Sequence, residues 1–218
     1  MSGKVVLHGY FRSSASFRVR IALNLKNIAY EQTTHHLRKN DQRASAYLAV
    51  NPQGLVPTLE IDGKRFGQSL AILEYLDETR PNPPLLPKDA AGRARVRMLA
   101  DVIACDIHPI DNLRVLRYLR DPLGQDEEAV QVWYNHWIAE GFAAFEALLA
   151  SSADTGKFCH GDEPGYADCF LVPQVGNART MGAGVAAWPT VERIANACAA
   201  LPAFAKAHPD TIAMTLAR

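Results

Sequence analysis

Cysteine is scarce in this sequence, and its few copies form no pattern that marks a disulfide framework or a metal site. The four cysteines are far apart and include no C-x-x-C pair; they are Cys105, Cys159, Cys169 and Cys198. No group of histidine and cysteine residues has the spacing of zinc ligands. We therefore predict no bound metal, and we expect the cysteines to be reduced and structural, as is usual in the cytosol.

A long hydrophobic run is also missing. No stretch approaches the roughly 20 consecutive apolar residues that a membrane-spanning helix requires. The first residues, Met1–Lys4, precede only a short apolar run without a small-residue cleavage site, so no secretory signal is recognised. These absences disfavour a membrane protein and a secreted protein, and they predict a cytoplasmic location.

Excess charge of either sign is absent, because 23 Lys and Arg residues balance 23 Asp and Glu residues. This balance argues against a nucleic acid or a membrane surface as the partner. The charges are distributed unevenly: residues 1–80 contain 11 basic and 7 acidic side chains, and the remainder contains 12 and 16. A mildly basic first part is compatible with a small anionic ligand.

The first eighty residues alternate strand-like and helix-like segments. We predict strands at 5–7, 28–34, 56–61 and 64–66, the last two flanking Asp62-Gly63, which is a strong hairpin signal. Helical spacing of apolar residues predicts helices at 16–26, 41–49 and 69–79. The predicted order is β-α-β, then an antiparallel hairpin, then a helix.

Four prolines within Arg80–Pro87 mark a boundary, because such a segment continues neither a helix nor a sheet. Everything after Asp89 has helical patterning. The predicted helices are 90–120 with a kink or interruption at Pro109, 127–150, 166–179, 190–199 and 203–207. The predicted organisation is therefore an α/β domain at 1–80, a Pro-rich linker at 81–89 and an all-helical domain at 90–218.

A serine-rich segment, Phe11–Arg18, lies between the first strand and the first helix. Ser13, Ser14 and Ser16 stand where the helix has unpaired N–H groups, which could mean simply a capped helix. Alternatively, the hydroxyls and the helix N-terminus stabilise an anion there. A thiol is a suitable anion because its ordinary pKa is only about 8.5. The segment contains no cysteine, so such a thiol would have to come from a ligand.

Two further segments have both a structural and a functional interpretation. Val56-Pro57 is either an ordinary trans proline at a strand edge or a cis bond that exposes the Val56 N–H and C=O to an extended peptide. Gln68-Ser69 stands at a helix start, where Ser69 either caps the helix or, with Gln68, holds a carboxylate.

The last informative segment is His108–Arg114. His108 and Asn112 are four residues apart and therefore share a helix face. A histidine beside a proline kink is often structural, but polar residues at this spacing can also line a cleft.

Four segments of the chain resemble the zeta class of glutathione transferases. They are Tyr10–Leu23, with Ser13-Ser14-x-Ser16 followed by Arg18-Val19-Arg20, and Asn51–Leu59, Gln68–Leu76 and Leu171–Val175. The likeness extends from Lys4 to about Pro209. The serine-rich stretch is specific to the class, whereas Val-Pro and Gln-Ser mark the wider superfamily. The resemblance implies a thioredoxin-like N-terminal domain, an all-helical glutathione-transferase C-terminal domain that binds substrate, a cis Val56-Pro57 bond and usually a homodimer.

The resemblance also implies roles for individual residues. Ser13 and Ser14 are expected to be catalytic, with Ser13 as the donor to the thiolate of glutathione. Val56 would pair with the cysteinyl backbone, and Gln42 would hold the glycine end. The complete expected glutathione-binding set is Ser13, Ser14, Ala15, Ser16, Phe17, Arg18, Gln42, Val56, Pro57, Gln68, Ser69, His108, Asn112, Leu113 and Arg114.

Two positions depart from the pattern of the class. Ala15 stands where the class often has cysteine, which excludes any mechanism that requires that cysteine. Gly165 replaces the usual threonine cap before the sixth helix, although Asp168 can still act as half of a capping box.

The expected reaction is the cis–trans isomerisation of a maleyl β-diketo acid, maleylacetoacetate to fumarylacetoacetate, with glutathione as a cofactor that is not consumed. Cations are needed for the carboxylate and the developing negative charge, and the candidates are Arg12, Arg114 and Arg179, each of which could instead face solvent. Three alternatives stay open: maleylpyruvate as the substrate, dehalogenation of α-haloacids, and a non-catalytic glutathione-binding module.

Overall fold

The computed structural model describes residues 4–216, which divide into two compact units. One unit contains the described residues up to Leu85 together with those from Ala199 onward, and the other spans Leu86–Cys198. The division after Leu85 falls inside the predicted linker. The predicted second domain, 90–218, differs from this division because the chain from Ala199 onward packs with the first unit. Residues 1–3 and 217–218 of the predicted ranges lie outside the described residues.

The elements follow one another in a β-α-β, β-β-α order and then become entirely helical. The strands are β1 Val6–Gly9, β2 Glu31–Thr34, β3 Thr58–Ile61 and β4 Lys64–Gly67. The helices are α1 Ser14–Leu25, α2 Ser45–Leu48, α3 Ser69–Thr79, α4 Ala90–Asp101, α5 His108–Ile110, α6 Leu113–Arg120, α7 Glu127–Ala150, α8 Tyr166–Thr180, α9 Pro189–Ala199, α10 Pro202–Ala207 and α11 Pro209–Leu216.

The first unit is built on a four-stranded sheet in the order β2-β1-β3-β4. β1 is parallel to β2 and antiparallel to β3, and β3 and β4 form the predicted hairpin. Its turn residues Asp62 and Gly63 have φ values of 53° and 71°, as a two-residue hairpin turn of the type favoured by right-handed strand twist requires. Leu7 and Leu59 are paired across the sheet and fully buried. This topology confirms the predicted thioredoxin-like domain.

Several boundaries in the first unit differ from the prediction. The predicted helix at 41–49 is a 3₁₀ turn, Asp41–Arg43, followed by the short α2. α1 begins two residues earlier than predicted because Ser13 is its N-cap. The second and third strands are shorter than predicted, and α11 was not predicted.

The end of α1 is anchored by a buried ion pair. Lys26 Nζ lies 2.9 Å from Asp77 Oδ1 on α3, and the Lys26 side chain is completely buried. The same ammonium group donates to the carbonyl oxygens of Arg80 and Pro83 at 2.7 and 2.9 Å. Asp77 Oδ1 also accepts the Leu85 N–H at 2.7 Å. All three ammonium protons are thereby used to fix the Pro-rich segment against the helices.

In the second unit, the predicted helix at 90–120 is divided into pieces. α4 passes into a π-helical segment, Val102–Ile107, which ends two residues before Pro109. A proline has no N–H to donate and its ring crowds the carbonyl of the fourth residue before it, so the wider π turn accommodates it. The helix breaks at Asp111–Asn112 and not at Pro109, and Asn112 then caps α6 by accepting the Arg114 N–H at 3.1 Å.

The long helix α7 passes close to the π segment at a glycine. A Cβ atom added to Gly141 would lie 2.2 Å from Ile107 Cγ1, which is far inside van der Waals contact. Gly141 is therefore required by the packing of α7 on this segment.

α8 starts without the usual side-chain cap, at Gly165. Asp168 compensates, since its carboxylate accepts the Gly165 N–H at 2.8 Å and the Cys159 N–H at 3.0 Å. The predicted half capping box is therefore confirmed. None of the four cysteines forms a disulfide, and only Cys105 is exposed. Within residues 4–216, no helix has the length and apolar character needed to cross a bilayer.

Candidate functional site

Ser13 is placed at the start of α1 with its hydroxyl proton available. Its Oγ accepts the Ser16 N–H at 3.1 Å, which is the bond expected of an N-cap. Its own N–H donates to Tyr10 O at 3.0 Å, and this bond fixes the turn that leads into the helix. A hydroxyl that accepts in this way still has one proton to donate.

The neighbours of Ser13 have different surroundings. The Ala15 N–H belongs to the first helical turn, whose N–H groups have no acceptor inside the helix. Ser16 is completely buried, and its Oγ lies 3.4 Å from the Tyr10 N–H that it accepts. Phe17 and Arg18 are also buried. Of the predicted serines, Ser16 therefore supports the turn, whereas Ser13 is the N-cap of α1 and is 9% exposed. The binding roles of Ser16, Phe17 and Arg18 remain predictions.

The Val56-Pro57 peptide bond is cis, as the resemblance implied. Buried polar side chains hold the loop before it. The Tyr47 hydroxyl donates to Leu55 O at 2.6 Å, and Asn51 Nδ2 donates to the same oxygen at 2.9 Å. Both groups also contact the buried Thr58 hydroxyl, at 2.9 and 3.1 Å. This network fixes the backbone that presents Val56.

Gln68 and Ser69 stand together at the start of α3. Gln68 has φ 63° and ψ 117°, a conformation that side-chain-bearing residues rarely adopt and that costs about 1–3 kcal/mol. Such strain is concentrated at functional sites. Ser69 is buried, and its Oγ accepts from Arg18 Nη1 at 3.2 Å. The starts of α1 and α3 are therefore joined directly.

Gln42 lies in the 3₁₀ turn Asp41–Arg43, and its side chain is buried. In the part of the chain that is described, its Oε1 atom has no hydrogen-bond partner. An unsatisfied buried amide costs about 1–3 kcal/mol, so this group is suited to a polar ligand.

In the second unit, the predicted pair at the α5–α6 break is formed. Asn112 Nδ2 lies 3.2 Å from His108 Nε2, and both side chains are half-buried. Leu113 is half-buried as well, whereas Arg114 is exposed. The structure therefore brings His108 and Asn112 together, and it places Arg114 on the surface of its unit.

Between these residues lies Asp111, which the sequence did not single out. It is 8% exposed, and neither carboxylate oxygen has a hydrogen-bond partner within residues 4–216. Burial away from donors raises the pKa of this carboxyl group from 3.8 to about 7. The buried hydroxyl of Tyr134 on α7 also lacks a hydrogen-bond partner in the same range, and its pKa is raised by burial and by the nearby Asp111 charge.

The predicted substrate-binding arginines differ in their surroundings. Arg12 is exposed, and its guanidinium lies over the Phe11 ring at 5.4 Å from the centroid. Arg179, near the end of α8, has a half-exposed side chain 3.5 Å from Glu192 Oε1 and 3.3 Å from Asn196 Oδ1. Arg179 is therefore partly neutralised, whereas Arg12 is beside the turn that carries Ser13.

Two family models match this chain in the order that the fold suggests. Residues 7–84 match the N-terminal domain of glutathione S-transferase, and residues 131–209 match the C-terminal domain of glutathione S-transferase. The chain belongs to the glutathione S-transferase family.

Individual isomerases are similar to this chain over nearly its whole length. The maleylacetoacetate isomerase of Rhizobium meliloti (strain 1021) is 50% identical over 210 residues, which cover 96% of this chain and 98% of the relative. A solved holo structure of a maleylpyruvate isomerase, described as a bacterial zeta-class enzyme, superposes with a TM-score of 0.93 at 47% identity and covers 94% of this chain and 97% of that chain. The maleylacetoacetate isomerase of Methylobacterium extorquens AM1, solved with malonate and GSH bound, has a TM-score of 0.91 at 44% identity and the same coverage.

Sequence reasoning missed the polar side chains that hold the loop before Val56. Tyr47 was not singled out, and Asn51 and Thr58 were quoted only within the segment Asn51–Leu59 that carries the resemblance, without a role of their own. No local pattern distinguishes a tyrosine that holds a loop from one that fills a core, since the bond from Tyr47 to Leu55 depends on the tertiary fold. The only available signal was the polar Asn51 beside Pro52, which is typical of a turn.

Proposed function

We propose that this glutathione S-transferase is a glutathione-dependent isomerase that converts maleylacetoacetate to fumarylacetoacetate. The observation that carries the proposal is the Ser13 hydroxyl, which stands at the N-terminus of α1 with a proton to donate. Relatives of 50% and 48% identity that have this activity in their names support the choice of substrate class.

The residues of the first unit fit glutathione, which is a short peptide with a thiol and two carboxylates. An extended peptide needs a backbone partner, and Val56 is presented beside a cis proline by a fixed loop. A carboxylate needs donors at a helix start, and Gln68 and Ser69 stand at the start of α3. Gln42 adds a buried amide with an unused oxygen, at a position suited to the amide and glycine end of the peptide.

Bound glutathione supplies a thiolate, the nucleophile that permits rotation about the maleyl double bond. The chain must therefore stabilise a sulfur anion at Ser13. Lowering a thiol pKa by about two units requires roughly 2.7 kcal/mol. A hydrogen bond from Ser13 to a charged acceptor supplies about 1.5–3 kcal/mol, and the α1 dipole supplies about 0.3–1 kcal/mol. Together these two contributions are of the size required.

The substrate is an anion, and this chain offers three candidate cations for it. Arg12 is the best supported, because it directly precedes Ser13 and is exposed. Arg114 is exposed and follows the His108–Asn112 pair along the chain. Arg179 is the least supported, since Glu192 and Asn196 already occupy its guanidinium.

The proposal is tested with purified protein, glutathione and maleylacetoacetate, by following the absorbance of fumarylacetoacetate. Ser13→Ala is expected to lower kcat/KM by at least tenfold, and Ser13→Ala with Ser14→Ala by more, while the fold is retained. The matched control is Ser45→Ala at the start of α2, which removes a serine from a helix start outside the site and should leave turnover unchanged. Absence of turnover by the unsubstituted protein, or full turnover by the folded double variant, would reject the proposal.

Maleylpyruvate is a second candidate substrate, because a maleylpyruvate isomerase is 47% identical over 93% of this chain. The two substrates share the maleyl end and differ in the tail. The stabilisation of the thiolate at Ser13 would therefore be the same for both. A comparison of kcat/KM for the two substrates decides between them. Halide release from α-haloacids, or glutathione binding without a lowered thiol pKa, would instead indicate the dehalogenase or the non-catalytic module.

The assembly and the location are proposed as well. A homodimer is the usual state of the resembling class, and light scattering at several protein concentrations tests it. A cytoplasmic location is consistent with four cysteines that form no disulfide and with a cofactor whose thiol must be reduced.

A further inference from the structure

Arg20 is a buried arginine whose side chain reaches from α1 to two distant parts of the first unit. Its residue exposure is 0%. Nε donates to Ala207 O at 2.9 Å, at the end of α10. Nη2 donates to Phe11 O at 3.0 Å, and Nη1 donates to Tyr10 O at 3.4 Å. The guanidinium lies over the Phe17 ring, 5.3 Å from its centroid.

The charge of Arg20 is not neutralised by a carboxylate. No ion pair involves it within residues 4–216, and its hydrogen-bond acceptors are the three backbone carbonyls. Burial lowers its pKa from 12.5 to about 10, so the side chain remains a cation at neutral pH. A buried cation is costly unless its donors are satisfied. The planar fork of arginine satisfies several carbonyls at once, which the single ammonium of lysine cannot do in the same geometry.

The carbonyl of Tyr10 links this arginine to the serine turn. It accepts from Arg20 Nη1 and also from the Ser13 N–H at 3.0 Å. The carbonyl of Phe11, one residue closer to Ser13, is held as well. The turn that sets the direction of the Ser13 hydroxyl is therefore held by the Ser13 N–H and by the Arg20 guanidinium, which both donate to its carbonyl groups.

We propose that Arg20 is a positioning residue, which holds the Tyr10–Ser13 turn against α10 and so aims the Ser13 hydroxyl at the sulfur of glutathione. This inference rests on the proposed function. According to this inference, the segment at Ala207 influences the ionisation of the glutathione thiol, although it is far from Ser13 in the sequence. The buried positive charge adds to the effect because it favours an anion at the adjacent helix start.

Asn24 offers a matched control, because its side chain also binds α10 but makes no contact with the serine turn. It lies one helical turn beyond Arg20 on α1, and its Nδ2 donates to Ala203 O at 2.8 Å. Asn24→Ala therefore removes a contact between α1 and α10 of the same kind as the contact from Arg20 to Ala207. The contacts to Tyr10 and Phe11 are left intact.

The experiment compares the unsubstituted protein with Arg20→Lys, Arg20→Gln and Asn24→Ala. Circular dichroism and thermal unfolding identify the folded variants, and the second arginine variant provides a test if the first does not fold. The pH dependence of thiolate absorbance gives the thiol pKa of bound glutathione. Amide hydrogen exchange of residues 10–16, in protein without glutathione, gives the rigidity of the turn.

We expect Arg20→Lys to raise the pKa of the bound thiol by about one unit, a tenfold smaller ionisation constant, and to speed exchange in residues 10–16 by about tenfold. Arg20→Gln should have a larger effect on the pKa, because it also removes the charge. Asn24→Ala should change neither quantity. Unchanged values in a folded Arg20 variant, or equal changes in Asn24→Ala, would overturn the inference. If the unsubstituted protein does not lower the thiol pKa, the proposed function fails instead, whereas the exchange comparison still tests the contact.

Discussion

The buried carboxyl group of Asp111 should make the folded protein less stable as the pH rises towards neutrality. Its two oxygens lack hydrogen-bond donors within the described residues, and its pKa is raised from 3.8 to about 7. In the unfolded chain the same group ionises near its ordinary value. Between these two pH values the folded protein keeps a proton that the unfolded chain has released, so the free energy of unfolding falls as the pH rises.

The size of the effect follows from the difference between the two pKa values. About three units at 1.36 kcal/mol each give a loss of about 4 kcal/mol, with a slope of about 1.4 kcal/mol per pH unit between pH 4 and 7. Asparagine has a similar shape and does not ionise. The stability of Asp111→Asn relative to that of the unsubstituted protein is therefore expected to rise by about 4 kcal/mol between pH 4 and pH 8. Imperfect satisfaction of the new amide would cost about 1–3 kcal/mol equally at every pH, so it does not alter this rise.

The assay is urea unfolding followed by circular dichroism at several pH values from 4.5 to 8.5, at one fixed protein concentration. Asp121→Asn, which changes an exposed carboxylate at the end of α6, is the matched control and should leave the pH dependence unaltered. Parallel curves for the unsubstituted protein and Asp111→Asn would refute the reasoning, because they would mean that Asp111 is ionised in the folded state or paired with a donor.

Two further predictions concern stability. Lys26→Met should lower the free energy of unfolding by about 3–5 kcal/mol, because it leaves Asp77 buried without its cation; urea unfolding measures this, and recovery by Lys26→Met with Asp77→Leu would identify the unpaired charge as the cause. Gly141→Ala should cost about 1–3 kcal/mol through its clash with Ile107. Gly176→Ala, where an added Cβ meets nothing within 4 Å, should instead gain up to about 1 kcal/mol from helix propensity. Equal thermal shifts for the two glycine variants would contradict the packing argument.

Sequence patterns predicted the structural elements that neighbouring residues determine. The Asp62-Gly63 turn follows from the backbone freedom of its two residues, and the start of α1 follows from the capping ability of Ser13. The α/β order of the first unit was predicted for the same reason. The resemblance to a class then supplied the cis bond at Val56-Pro57, which local spacing by itself did not favour.

Features that depend on distant contacts were not predictable in this way. Helical periodicity continued through the chain on both sides of Pro109. It therefore predicted neither the π segment nor the position of the break at Asp111. Arg20 has the spacing of an ordinary helical side chain, and only the fold brings Ala207 to it. The polar groups that support the site are likewise separated in sequence, and their roles depend on what packs beside them.

The return of the chain from Ala199 onward to the unit in which it started affects the order of events during synthesis. α10, whose carbonyl groups accept hydrogen bonds from Arg20 and Asn24, is translated only after the whole of Leu86–Cys198 has been translated. Domains made early usually fold early. Here the earlier-made sheet must wait for a later-made helix, so we expect the middle of the chain to mature first and the thiol-binding half to be completed after it.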